Sequence, residues 1–264
     1  MSYLCVNGIA AGYGKQNIIE NISFQLEDGV LMGIIGANGS GKTTLLKALC
    51  GILPHRGTCT LDQTVLEECS PRQIAKLVSY IPQRSGIAID ISALDVVLMG
   101  FNPQLGLLAH PTRKMKDAAI RALQQVGLGG KEEMNYLHLS EGQKQLCILA
   151  RTLVSGSRLL LLDEPESALD FRFRHQMLSL LRKWAASGNR SAIVTLHDPT
   201  LALNFCDRLL LLSGGGVLGM IEPKRDPLEK MEQMLRQVYG GISLQRCRNR
   251  KGESQIVILS EDEE

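Results

Sequence analysis

An apolar run, Leu31–Ile35, stops in Gly36-Ala37-Asn38-Gly39-Ser40-Gly41-Lys42-Thr43, and a helical pattern, Thr43–Leu49, follows at once. No other stretch so narrows what this chain can fold into. A solid apolar run feeding a helix reads as a buried parallel strand, which commits the chain to an α/β core. The loop matches G-x-x-x-x-G-K-[ST]. Backbone poor in side chains can wrap a phosphate chain and offer it several N–H groups where the helix N-terminus is already positive. Gly36, Asn38, Gly39, Ser40, Gly41, Lys42, Thr43 and Thr44 therefore become candidate phosphate ligands. Lys42 would set a point charge between β- and γ-phosphates, and the Thr43 hydroxyl would hold Mg²⁺. A Gly-rich turn of no function could share the spacing, but not this placement between strand and helix.

The remaining text sorts around that unit. Upstream, Tyr3–Ile9 and Ile22–Glu27 read as short strands, with Glu27-Asp28-Gly29 as a turn before the buried one. Ser70-Pro71 opens a helix that leads into a strand at Leu77–Ile81. From Ser92 to Ser155 the pattern is helical: Ser92 to Asp95 resembles a capping box, and Arg113–Val126 ends in Gly127 as a C′ residue. Strands resume at Leu159–Leu162 and Ala192–Leu196, each followed by a helix, and Gly214–Gly216 turns a last hairpin. A tail, with helix Leu228–Val238 and strands near Ser243–Cys247 and Gln255–Leu259, is expected to fold back on the core, with the acidic end Glu261–Glu264 frayed.

Leu159–Leu162 runs into Asp163-Glu164-Pro165. A buried strand that ends in two acids aims carboxylates at the sheet's C-terminal edge, where the phosphate loop also lies. Asp163 is expected to bind the metal through water, and Glu164 to polarise an attacking water as a general base. Alone, Asp-Glu could merely cap a strand end; beside a phosphate loop the chemical reading prevails.

Composition removes other classes. Twenty-nine basic residues against 27 acidic leave a net charge of +2, which gives no electrostatic case for nucleic acid. The longest apolar runs fall far short of the roughly 18 residues that span a bilayer. Met1–Gly12 carries no Lys or Arg and no sustained apolar region, so no signal peptide is read. Of seven cysteines, an odd number without a C-x-x-C pair, five, including Cys50 and Cys147, sit in apolar periodic segments, and buried free thiols in a reducing cytosol are expected.

With those two sites comes Leu139-Ser140-Glu141-Gly142-Gln143, and over nearly its whole length the chain resembles the ABC-type ATPases. Further matches fall in that family's order. Tyr13 stands where an aromatic stacks on adenine, and Gln83, in Tyr80-Ile81-Pro82-Gln83, where a glutamine joins core to helical lobe. Ser140, Gly142 and Gln143 match the signature, Ser167-Ala168-Leu169-Asp170 the D-loop, and His197 the switch histidine. The resemblance implies an α/β P-loop NTPase with a mixed β core, an antiparallel N-terminal β subdomain and an inserted α-helical subdomain. The catalytic core would be residues 1–83 and 156–222, the helical insertion 84–155, and the packed tail 223–264. It implies Mg-ATP as ligand, with Lys42, Gln83, Glu164 and His197 catalytic and Thr43, Gln83 and Asp163 around the metal.

Ser140 reads as the N-cap of a helix Glu141–Leu153, an anion site in its own right. In the family two chains pair head to tail, each signature closing over the other's ATP. Three residues depart from the pattern: Glu141 for glycine, Glu166 for threonine and Leu146 for arginine. Glu141 is expected to point outward, and the other two to stay clear of the chemistry. The resemblance implies a motor on the cytoplasmic face of a membrane, under permease subunits, with a solute-binding protein outside. Asp95–Pro103 and Val238-Tyr239-Gly240 resemble importers of iron chelates, haem and cobalamin. Residues Gln83–Leu108 would meet the permease. Another solute remains an alternative, as do a soluble ABC protein of DNA repair or translation and a non-hydrolysing regulator; the size of the chain disfavours the former, Glu164 and His197 the latter.

Overall fold

Alternating apolar residues lay down the N-terminal strands, β1 (Leu4–Tyr13) and β2 (Gln16–Leu26), which form one long antiparallel hairpin. Both run further than their sequence pattern suggests. Register shifts between Val6 and Ile9, Ile9 and Ala11, and Ala11 and Gly12 break the period of two. The chain then gives the solid apolar β3 (Leu31–Gly36), α1 (Lys42–Leu49), β4 (His55–Leu61) and the short β5 (Thr64–Val65). A four-stranded antiparallel sheet, β2-β1-β4-β5, results. β4 and β5 were not legible: β4 reads His-Arg-Gly-Thr-Cys-Thr-Leu and buries only Cys59 and Leu61.

The computed structural model describes residues 3–83, 86–106 and 108–261. Ser70, with Gln73 in a reciprocal capping box, opens α2 (Pro71–Leu77), which leads into β6 (Val78–Ile81). Helices α3 (Ala93–Leu98), α4 (Arg113–Gln125) and α5 (Glu141–Leu153) follow, then β7 (Leu159–Leu162), α6 (Phe171–Ala185), β8 (Ser191–Thr195), α7 (Pro199–Phe205), β9 (Arg208–Ser213) and β10 (Gly216–Ile221). Six strands form the central sheet in the order β10-β9-β3-β8-β7-β6, parallel except for β10. All four leucines of β7 are fully buried, because both faces of the sheet are covered. Leu160 and Leu162 join the cluster of Val96, Ile148 and Met177; Leu159 and Leu161 join that of Leu45, Leu46 and Ile9. At about 1.5–3 kcal/mol per buried leucine, this sandwich fixes the sheet's edge where the loops must meet.

The tail completes the fold with α8 (Leu228–Tyr239) and the hairpin β11 (Ile242–Arg248) and β12 (Ser254–Ser260). It folds back: the Asn204 amide, on α7, donates to the Ile256 carbonyl at 2.7 Å and accepts the Ile256 N–H at 2.9 Å. Of the acidic end, residues 262–264 lie outside the described part, as do Arg84, Ser85 and Leu107 of the Gln83–Leu108 segment. All seven cysteines are free, but only Cys59, Cys147 and Cys206 are buried; Cys247 is exposed on the edge of the tail hairpin. Burial is therefore less general than expected, with Cys50 only partly covered. Among the described residues no helix is long and apolar enough to cross a membrane.

Candidate active site

Parallel strands deliver their C-terminal ends to one edge, and four loops of the sheet converge there. β3 supplies the phosphate loop. Gly39 and Gly41 take φ of +80° and +97°, the left-handed region that glycine enters at little cost. A Cβ on Gly36 would lie 2.3 Å from the Leu212 carbonyl oxygen, so bare backbone is required there. Lys42 is buried and donates to the carbonyls of Gly36 (2.8 Å) and Ala37 (3.2 Å). Burial lowers its pKa, while Glu164 and Asp163 act in the opposite direction. Ser40 Oγ is buried with no hydrogen-bond partner, an orphaned donor that a phosphate oxygen would satisfy.

From β7 comes Asp163, gripped by three hydroxyls. Thr43 and Thr195 both donate to its Oδ1 at 3.0 Å, and Tyr80 to Oδ2 at 3.2 Å. Hydroxyl and carboxylate oxygens side by side are the hard donors that Mg²⁺ prefers, so the residues fit that ion. Burial and the Asp163 charge push the Tyr80 phenol well above its usual range.

Glu164 adopts φ +48°, a conformation that costs a residue with a Cβ about 1–3 kcal/mol. Its N–H donates to Thr195 Oγ1 at 2.8 Å. Its carboxylate, largely buried, meets His197 Nε2 at 2.6 Å and accepts from Gln83 Nε2. The strained turn thus points the proposed base at the two side chains, in the loops after β6 and β8, that the sequence marked with it. A cleft of about 160 Å³ holds Glu164 together with Asn38, Gly39, Ser40, Gly41, Lys42, Thr43 and Thr44.

The signature residues are elsewhere. Ser140 caps α5 by accepting the Gln143 N–H at 3.3 Å, and the Gln143 amide oxygen accepts the Ser140 N–H at 3.1 Å. Gln143, expected as a ligand, is occupied in this capping box. Gly142 lies against the D-loop, where a Cβ would be 3.1 Å from the Ala168 carbonyl. None of Ser140, Gly142 or Gln143 lines the phosphate cleft. Glu141 is exposed and pairs with Lys144 at 2.7 Å. An exposed pair of this kind is worth at most about 1 kcal/mol, so Glu141→Gly should change ATP-dependent dimerisation by no more than about fivefold in light scattering. A marked gain would place the carboxylate inward. Tyr13 is half exposed, with Lys47 Nζ 3.4 Å from its hydroxyl, and lines a separate cleft of about 450 Å³.

Three residues were missed as participants: Tyr80 and Thr195, which hold Asp163, and Glu166. Tyr80 lies within the string quoted for Gln83 and Thr195 within the strand Ala192–Leu196 that precedes His197, yet nothing in them says which side chains turn toward Asp163. Leu146 is buried in the core, clear of the cleft. Glu166, however, is buried and accepts the His197 N–H at 3.1 Å. Glu166 is thus near the site without lining the phosphate cleft, because the turn after Glu164 folds inward. Burial raises its pKa.

The ABC transporter family profile matches residues 19–167. The hemin import ATP-binding protein HmuV of Pseudomonas fluorescens is 37% identical over 223 residues, 80% of this chain and 84% of that protein. An uncharacterized ABC transporter ATP-binding protein of Bacillus subtilis, YvrA, is 32% identical over 88% of this chain, which spans only 52% of YvrA. A solved chain of a transporter described as metal-chelate type, in an inward-facing conformation, superposes with a TM-score of 0.82 at 27% identity, covering 99% of each chain. The chain belongs to the ABC transporter family, as one of its ATPase cassettes.

Proposed function

We propose that two copies of this chain close head to tail over two molecules of Mg-ATP and that the closure drives membrane subunits importing an iron chelate, haem or cobalamin. One observation carries the paired arrangement: the capped N-terminus of α5, an anion site with Ser140 as its cap, is absent from the cleft that holds the phosphate loop and Glu164. An anion site that does not face its own chain's phosphates is free to face another's. The iron-chelate reading is supported by the names of the hemin and metal-chelate relatives.

In this reading the phosphate loop binds ATP, Lys42 leaves its loop carbonyls for the β- and γ-phosphates, and Tyr13 stacks on adenine. Thr43, Asp163 and Gln83 would hold Mg²⁺, whose charge screens the phosphate oxygens. Glu164 takes a proton from the attacking water, and His197 trades its contact with Glu164 for the γ-phosphate. The core is residues 1–83 and 156–222, with 84–155 as the arm that carries the signature and 223–264 packed behind. A cleft of about 340 Å³, with Ser79, Tyr80, Met99, Asn102 and Arg151 in its walls, is where a short permease helix would dock on the cytoplasmic side.

The reading is tested by purifying the chain with the polytopic membrane protein it binds and adding a solute-binding protein loaded with haem or a ferric chelate. Stimulated ATP turnover supports it. A chain that stays monomeric in Mg-ATP, with Glu164→Gln and the permease both present, rejects it. Asn102→Trp should abolish that stimulation while the basal rate holds within about twofold, since it fills the docking cleft and leaves the phosphate cleft alone.

A further inference from the structure

His197 is held at both ends by a single turn. Glu164 Oε1 meets its imidazole Nε2 at 2.6 Å, and Glu166 Oε1 accepts its main-chain N–H at 3.1 Å. The imidazole side chain is 48% exposed, whereas Glu166 is 3% exposed. Of the two contacts, the ring's lies nearer solvent and the backbone's is made by a buried group. The sheet explains why that N–H needs help. Leu196 makes the last ladder bond of this stretch, its N–H donating to the Ile34 carbonyl at 3.1 Å. Two residues later Asp198 caps α7, accepting the N–H groups of Thr200 and Leu201. His197 falls between ladder and helix, and the Glu166 carboxyl takes the place of the missing strand partner.

We propose that Glu166 is a positioning residue for ATP hydrolysis: it fixes the backbone of His197 so that the imidazole stays beside Glu164, in place to move from that carboxylate to the γ-phosphate. The proposal rests on the reading of Glu164 and His197 given above. Glu166 does not line the phosphate cleft, so it acts through the histidine and not on the nucleotide. Its other oxygen, Oε2, is buried without a hydrogen-bond partner. Burying a carboxyl so incompletely satisfied is costly, and an apolar side chain would avoid that cost. What the carboxyl supplies in return is the acceptor for His197. A carboxyl oxygen accepts that N–H whether or not the group carries a proton, so the role does not depend on titration.

The test is steady-state ATP hydrolysis by the full chain as Glu166→Ala, Glu166→Gln, His197→Ala and the Glu166→Ala/His197→Ala double variant, with melting curves to verify folding. Glu166→Ala should lower kcat about tenfold, with KM for ATP within about twofold. Glu166→Gln, which keeps an acceptor oxygen, should recover most of the rate. In the His197→Ala background, Glu166→Ala should cost nothing further, because two residues acting through one contact are not additive. Losses that multiply in the double variant, with His197→Ala itself impaired, would overturn the proposal alone. A normal kcat in His197→Ala would remove the histidine's role and this proposal with it. Should Glu166→Ala fail to fold, Glu166→Met, of similar length and without an acceptor oxygen, carries the same comparison; a wild-type kcat there overturns the proposal.

Discussion

Glu164→Gln should cut ATP turnover by about 10²–10⁴-fold while ATP still binds. The amide has the size of the carboxylate but cannot take a proton from water at neutral pH. Most of the local framework does not depend on the charge. Glu164 reaches its left-handed backbone through its own N–H to Thr195 Oγ1, and glutamine keeps that N–H. Asp163 retains its three hydroxyl donors, so its place beside Thr43 is unchanged. What changes is the ring of donors around the side chain. His197 and Gln83 both approach the Glu164 carboxylate, and an amide offers a single acceptor oxygen where the carboxylate offers two. The contacts of His197 and Gln83 must then rearrange around one acceptor oxygen and one NH₂ donor. Nucleotide should therefore bind with wild-type affinity, and a long-lived dimer should collect in Mg-ATP. Turnover by phosphate release and mass by light scattering measure the two effects. A rate within about tenfold of wild type would take the base role away from Glu164.

The parts of this site that sequence alone exposes are those whose chemistry is local. A strand, a glycine loop and a helix are contiguous, so residues 31–49 could be read as one unit. The same holds for β7 and its acidic end, and for the cap at Ser140, which needs only Gln143 three residues on. What stayed hidden depends on register between distant strands. Pairing of Ile34 with Thr195 and of Leu162 with Val194 brings Thr195 beside Asp163, 32 residues away in the chain. Pairing of Ile81 with Leu162 does the same for Tyr80. No local pattern contains those distances. β4 escaped for another reason: five of its seven residues are polar or glycine, and its place is set by β1 rather than by its own alternation. Glu166 misled because an acidic residue in a turn is normally solvated, whereas here the turn folds against β8.

Lys42→Ala is expected to weaken ATP binding by roughly 10- to 150-fold, the equivalent of the 1.5–3 kcal/mol carried by hydrogen bonds to charged groups. The direction follows from where the ammonium sits. It is buried, it is held by two carbonyls of its own loop, and burial lowers its pKa. A cation in that position gains from a polyphosphate, which offers full negative charge where the loop offers only dipoles. The rest of the cradle survives the change, since Gly36, Gly39 and Gly41 shape the backbone without the lysine. Residual binding should therefore remain, and its loss can be read by thermal denaturation. Ligand at 100 times its dissociation constant stabilises a folded chain by about 2.7 kcal/mol; if the constant rises about 100-fold, the same concentration gives only about 0.4 kcal/mol. The rise in Tm that ATP produces in the wild-type chain should nearly vanish in the variant, while melting without nucleotide stays close to wild type. An undiminished ATP-dependent shift would mean that the loop does not deliver its lysine to the phosphates.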